Sequence, residues 1–337
     1  MFNFSEENFL KVTQGAVGLR GQIEQIVDEV SKKGYKNIFL IGSGGSIAIM
    51  YPFEYMIKTT STIPVFAEIA AEFVLYDHKQ FGPDSIVILS SLSGTTKETV
   101  AAAKFCKEKG ATTIGLVGEL GTPLADLSDY KLVNYSENDT ASDSIYLQLY
   151  LLVFALMHKN GDFPQYPQFA DQLQTMPRVL LDVKAATEKK AEAFAEQYKD
   201  EKYHMLVGSG SVYGETYSYA MCVLEEMQWI HTKSIHAAEF FHGTLELVEK
   251  DTSIILMTGE DESRPLMDRV KRFAEKYTEK LSIFDTKDYE LKGIGEEFRQ
   301  YLSPLIIASL FERVSVQLEA KRNHPLSTRR YYRTVEY

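Results

Sequence analysis

Cysteine, tryptophan and basic charge are all scarce in this 337-residue sequence. The two cysteines, Cys106 and Cys222, are far apart and each lies in a helical-looking stretch, so a disulfide framework is excluded and each thiol reads as a small buried hydrophobe. Lysine and arginine number 36 against 47 aspartates and glutamates, giving a net charge of −11 that opposes nonspecific approach to nucleic acid or to an anionic membrane. A small anion is still admissible, because helix N-termini and backbone N–H groups can hold a phosphate whatever the overall charge. The first seven residues carry no basic region, and the longest strongly apolar run, 149–157, is too short to cross a bilayer. The expectation is a cytoplasmic enzyme without nucleic-acid or membrane partners. With 45% hydrophobic and 25% charged residues the composition is globular, and at this length two domains are the default.

Short apolar runs alternate with helical stretches, the pattern of parallel strands joined by crossover helices. The first half predicts strands at 37–41, 64–67, 85–89, 112–117 and 130–133. The second predicts them at 203–207, 234–237, 252–257 and 281–284, and long helices at 146–158 and 177–199 connect the halves. The halves also repeat. Phe39-Leu40-Ile41-Gly42-Ser43-Gly44 matches Met205-Leu206-Val207-Gly208-Ser209-Gly210, Ile69-Ala70-Ala71-Glu72-Phe73 matches His236-Ala237-Ala238-Glu239-Phe240, and Ile86-Val87-Ile88-Leu89 matches Ile254-Ile255-Leu256-Met257. Three matches in order at offsets of 166, 167 and 168 imply a duplicated domain, with halves at 1–168 and 169–337.

Two loops in the first half suit an anion. Gly42-Ser43-Gly44-Gly45-Ser46 lacks the third glycine of a dinucleotide fingerprint and the lysine of a P-loop, so it is equally compatible with a simple strand-to-helix turn. Ser90-Ser91-Leu92-Ser93-Gly94-Thr95-Thr96 is more telling. It precedes a predicted helix at 97–109, and five hydroxyls exceed what one N-cap needs but can surround phosphate oxygens. The second half keeps the glycine turn but has Thr258-Gly259-Glu260-Asp261-Glu262-Ser263 in place of the serine-rich loop, where acidic side chains would repel phosphate.

That half instead offers Glu225, Glu226, His231, His236 and His242, with three of the seven histidines inside twelve positions. The spacing lacks the i, i+4 histidine pair of zinc hydrolases and no cysteine joins it, which favours acid–base chemistry over a metal site. A predicted helix at 213–228 carries both glutamates and is apolar nearly all round, which should shield at least one of them. Burial suits a general base. A glutamate at the helix edge or paired with Lys233 is an equal alternative.

Leu224-Glu225-Glu226-Met227-Gln228-Trp229-Ile230-His231, Ile235-His236-Ala237-Ala238-Glu239-Phe240-Phe241-His242-Gly243 and Lys321-Arg322-Asn323-His324-Pro325-Leu326-Ser327, with Arg329-Arg330-Tyr331 and a Val335-Glu336-Tyr337 ending, resemble the sugar isomerase (SIS) superfamily. Within it they are most similar to fructosamine 6-phosphate deglycases. The resemblance implies an α/β fold of two tandem SIS domains, each a parallel β-sheet flanked by helices in a flavodoxin-like three-layer sandwich. It implies that Ser91, Ser93 and Thr96, helped by Ser43 and Gly44, grip a sugar phosphate, and that Glu226 is the base paired with His242. His324, Arg330 and Tyr337 are substrate contacts or parts of a packing arm. A dimer is implied, with His242 facing the partner subunit's Glu226. Two positions depart mildly from the close pattern, Ala238 for glycine and Thr244 for the usual proline. The related isomerase domain of glucosamine-6-phosphate synthase has a C-terminal lysine for Schiff-base formation; residues 329–337 here have none, which favours deglycation.

The implied activity is hydrolytic cleavage of a 6-phosphorylated Amadori product to glucose 6-phosphate and a free amine, needing no metal or organic cofactor. The competing readings are an aldose–ketose isomerase and a noncatalytic sugar-phosphate sensor. The sensor lacks a helix-turn-helix or basic segment to act through.

Overall fold

The computed structural model of the chain describes residues 1–137, 140–332 and 334–336. Tyr337 therefore lies outside the described residues. The chain divides into two compact units, Glu6–Arg178 and a second made of Met1–Ser5 with Val179–Tyr337. This division falls within the helix Met176–Tyr198, later than the repeat boundary at 168.

In the first unit β1 (Asn37–Gly42), β2 (Val65–Ile69), β3 (Ser85–Ser91), β4 (Thr112–Val117) and β5 (Tyr130–Val133) form a parallel sheet in the order β2-β1-β3-β4-β5. Every residue of β1, β3 and β4 is buried, as parallel strands covered on both faces must be. The order reverses between β1 and β3, so the loops leaving these two neighbours open a crevice at their carboxyl ends. β3 runs two residues past the expected Leu89, because Ser90 and Ser91 continue the pairing with Leu116 and Val117. Two residues of the serine-rich segment therefore belong to the strand. The helix Ala141–Lys159 is longer than its most apolar run and could cross a membrane by length and composition, yet 83% of its apolar window is buried inside the unit. It packs as a core helix, with residues 143–157 covered on all sides.

In the second unit β6 (Tyr203–Gly208), β7 (His231–His236), β8 (Ser253–Thr258) and β9 (Lys280–Asp285) form a parallel sheet in the order β7-β6-β8-β9. This matches the order β2-β1-β3-β4 of the first sheet. The helix Arg264–Tyr277 buries Met267, Val270 and Ala274, three residues at helical spacing, against that sheet. Residues 1–5 join this unit through buried charge. Arg313, fully buried, donates from Nε to Glu188 at 2.8 Å, and Glu188 also accepts the Phe2 N–H at 3.0 Å.

The stretch expected as one helix at 213–228 is not one. An α-helical start, Tyr213–Ser218, widens into a π-helix over Tyr219–Glu225 and ends in a turn. Glu226 N–H bonds Met221 O and Gln228 N–H bonds Val223 O, both five residues back.

Candidate functional site

Each unit carries part of the candidate chemistry. In the first, the helices Gly45–Thr60 and Lys97–Glu108 begin directly after the loops that leave β1 and β3, and no side chain caps either. Their leading N–H groups are the usual orphans of a helix start and carry its partial positive charge. Hydroxyls gather there. Ser91 and Thr96 share a hydrogen bond of 2.9 Å, and the Ser93 hydroxyl accepts from both Thr95 N–H at 3.3 Å and Thr95 Oγ1 at 2.9 Å. The buried hydroxyls of Ser43 and Ser90 have no hydrogen-bond partner among the described residues. Buried hydroxyls are ordinarily paired, and these two lie at the carboxyl ends of neighbouring strands. Gly94 shapes this loop. Its φ is +62°, and a Cβ there would stand 2.1 Å from Thr122 Oγ1. Gly44 also has a positive φ, of +56°, at the mouth of the first helix.

In the second unit the acidic segment that follows β8 folds back on the turn that follows β6. Asp261 places one carboxylate oxygen 2.9 Å from Ser211 N and 2.6 Å from Ser211 Oγ, and the other 2.9 Å from Ser263 N. Gly210, φ +55°, lies so close that a Cβ would meet this carboxylate at 2.5 Å. One residue of the acidic segment therefore accepts hydrogen bonds at the turn after β6.

The glutamates part company at the end of the π-helix. Glu225 is exposed and accepts from the Thr232 hydroxyl. Glu226 keeps 28% of its side-chain exposure and pairs with Arg329, whose Nε lies 2.9 Å away. Lys233 is engaged elsewhere, donating to Thr244 Oγ1 at 3.0 Å. Next to Glu226, Trp229 has a φ of +56°, a left-handed position where helices usually end on glycine. For a bulky residue this conformation costs of order 1–3 kcal/mol and persists only where its surroundings hold it. They do so here through the C-terminal segment. The His324 ring meets the indole edge-on at 4.6 Å, the Arg330 guanidinium lies 4.1 Å from the ring centre, and Gln228 Nε2 donates to His324 O at 2.8 Å.

The histidines do not assemble as a cluster. His242 ends the short 3₁₀ turn Phe240–His242 and is exposed. His236 accepts from Ala238 N–H at 3.2 Å, packs on Tyr213, and is held below the usual histidine range by burial. Among the described residues no group of three or more His, Cys, Asp or Glu could hold a metal ion. Burial pushes the thiols of Cys106 and Cys222 up to about 12, so neither is a nucleophile at neutral pH. Sequence reasoning missed Arg329 and Trp229. Their signal lay in the motifs already quoted, as the neighbour of Arg330 and the only tryptophan of the chain.

The SIS domain profile matches residues 33–158, the span that contains the sheet and both hydroxyl-bearing loops. Fructosamine deglycase FrlB of Bacillus subtilis is 35% identical over 331 residues, covering 97% of this chain and 100% of its own. The chain belongs to the SIS family. Among solved structures, a Bacillus subtilis protein described as a phosphosugar isomerase superposes on this SIS protein with a TM-score of 0.91 at 34% identity, covering 96% of this chain and 99% of the other. Fructoselysine 6-phosphate deglycase of Escherichia coli K12 is 22% identical over 94% of this chain and 91% of its own. The C-terminal domain of glucosamine-fructose-6-phosphate aminotransferase from Francisella tularensis shares the fold, with a TM-score of 0.78 at 15% identity over 95% of each chain. The chain is thus an α/β protein with parallel sheets flanked by helices, related to sugar-phosphate-processing enzymes.

Proposed function

We propose that this protein is a deglycase that hydrolyses a 6-phosphorylated Amadori product to a hexose 6-phosphate and a free amine. The supporting observation is the pair of hydroxyl-bearing loops at the β1/β3 crevice, with the Ser43 and Ser90 hydroxyls buried and unpaired, in a chain 35% identical along its length to a fructosamine deglycase. Ser91, Ser93 and Thr96 with Ser43, Gly44 and two uncapped helix starts bind the phosphate through neutral donors and helix polarity. The second unit is a diverged second SIS domain, in keeping with its strand order and with the glycine turn it keeps after β6.

Glu226 removes a proton from C1 of the open-chain ketosamine, giving the C1–C2 enaminol. Protonation at C2 yields the C1 imine; water adds to C1, and the amine leaves with the proton it gains as glucose 6-phosphate forms. Across a homodimer interface, His242 gives a proton to the ring oxygen as its bond to C2 breaks, and takes back the proton that the C2 hydroxyl loses on becoming the carbonyl. A positioned acid or base contributes roughly 10²–10⁴-fold. Incubation with fructoselysine 6-phosphate, assayed for both lysine and glucose 6-phosphate, tests the reading. Equal release of the two supports it. Formation of an isomeric sugar phosphate without amine would replace it by an aldose–ketose isomerase.

A further inference from the structure

Arg329 is absent from every role assigned above, yet it makes the described ion pair of Glu226. We propose that Arg329 is a positioning residue for Glu226, acting from the C-terminal segment; this rests on the reading of Glu226 as the base. A glutamate side chain has three rotatable bonds, and Glu226 sits on the last, irregular turn of a π-helix, where the main chain alone does not fix its direction. Arg329 supplies a fixed direction. Its Nε meets the carboxylate at 2.9 Å while its Nη1 donates to two carbonyls of its own segment, Leu326 O at 2.7 Å and Thr328 O at 2.9 Å. The guanidinium is therefore locked before it meets the glutamate, and its planar fork suits that task better than an ammonium.

The segment that carries it is docked independently. Leu326 N–H bonds Glu319 Oε1 at 2.8 Å, Gln228 Nε2 bonds His324 O, and Trp229 is held by His324 and Arg330. Adjacent arginines thus divide the work: Arg330 grips the turn through its indole, and Arg329 aims the carboxylate three residues before that indole. With only 20% and 28% side-chain exposure, this pair is better shielded than a solvated surface ion pair, which is ordinarily worth little.

A double-mutant cycle in the full-length protein tests this, with Arg329→Met and Arg329→Lys made alone and in the Glu226→Gln background, turnover measured on fructoselysine 6-phosphate, and emission and iodide quenching of Trp229 recorded for each. The expected result is a loss of roughly 10–10² in kcat for Arg329→Met with KM changed much less, a smaller loss for Arg329→Lys, and a further loss below about threefold when Arg329→Met is added to Glu226→Gln. Trp229 emission should stay native in Arg329→Met, since the segment keeps its other anchors. Native turnover in Arg329→Met beside a collapsed Glu226→Gln would overturn this inference alone. A Trp229 signal in Arg329→Met as exposed as in Arg330→Ala would also overturn it, by showing that the segment had merely undocked. Near-native turnover in Glu226→Gln would instead remove the base itself, and the inference with it.

Discussion

Asp261 receives both the N–H and the hydroxyl of Ser211, at 2.9 and 2.6 Å, and so does for the second unit what a bound anion does at a helix start. Replacing it by alanine leaves the N–H groups of Ser211 and Ser263 without an acceptor, which should cost about 1–3 kcal/mol of stability. Inorganic phosphate or sulfate should restore part of that loss by entering the emptied cradle. Thermal melts of Asp261→Ala in chloride and in phosphate check it; melting temperatures that respond to phosphate no more than the parent's would contradict the equivalence of the two cradles.

In the first unit, on the proposed reading, the phosphate of the substrate takes that place. Ser93→Ala and Ser91→Ala should each remove a hydrogen bond to a charged oxygen, worth about 1.5–3 kcal/mol, and so raise KM for a phosphorylated substrate roughly tenfold or more. kcat should change less, because the phosphate lies far along the sugar from C1. Initial-rate kinetics with inorganic phosphate as competitor distinguish the effects; an unchanged KM and unchanged inhibition in both variants would move the phosphate elsewhere.

His204 makes stability depend on pH in a defined window. It is fully buried, bonds Ser253 Oγ through Nδ1 at 2.7 Å, and burial lowers its pKa from 6.5 to about 4. Above 6.5 the ring is neutral in both folded and unfolded chains. As the pH falls from 6.5 towards 4 the unfolded chain takes up a proton that the folded one refuses, so stability drops, by up to about 3 kcal/mol in all. Urea midpoints measured at several pH values should show this slope in the parent and a shallower one in His204→Gln. Equal slopes would contradict it.

The sheets and the serine-rich loop were legible in the sequence for the same reason: both are local. Buried parallel strands read as short apolar runs, and five hydroxyls between the apolar run of β3 and one helix exceed any capping need. The π-helix was not legible. Over seven residues its wider turn leaves nearly the same pattern of apolar positions as an α-helix, so 213–228 reads as one continuous helix. The Arg329 partner of Glu226 was equally hidden, since Arg329 lies about a hundred positions further on in a segment without periodicity. Acidic residues at 260–262 are legible as a departure from the serine-rich loop, but the sequence does not show that the Asp261 carboxylate turns inward onto Ser211 and Ser263.

Proton removal at C1 is measured most directly by comparing fructoselysine 6-phosphate carrying deuterium at C1 with the unlabelled compound, in the native protein and in Glu226→Gln. The account predicts a primary isotope effect on amine release by the native protein and turnover lower by about 10² or more in the variant. Amine release that is indifferent to the label, at a rate the variant shares, would contradict it.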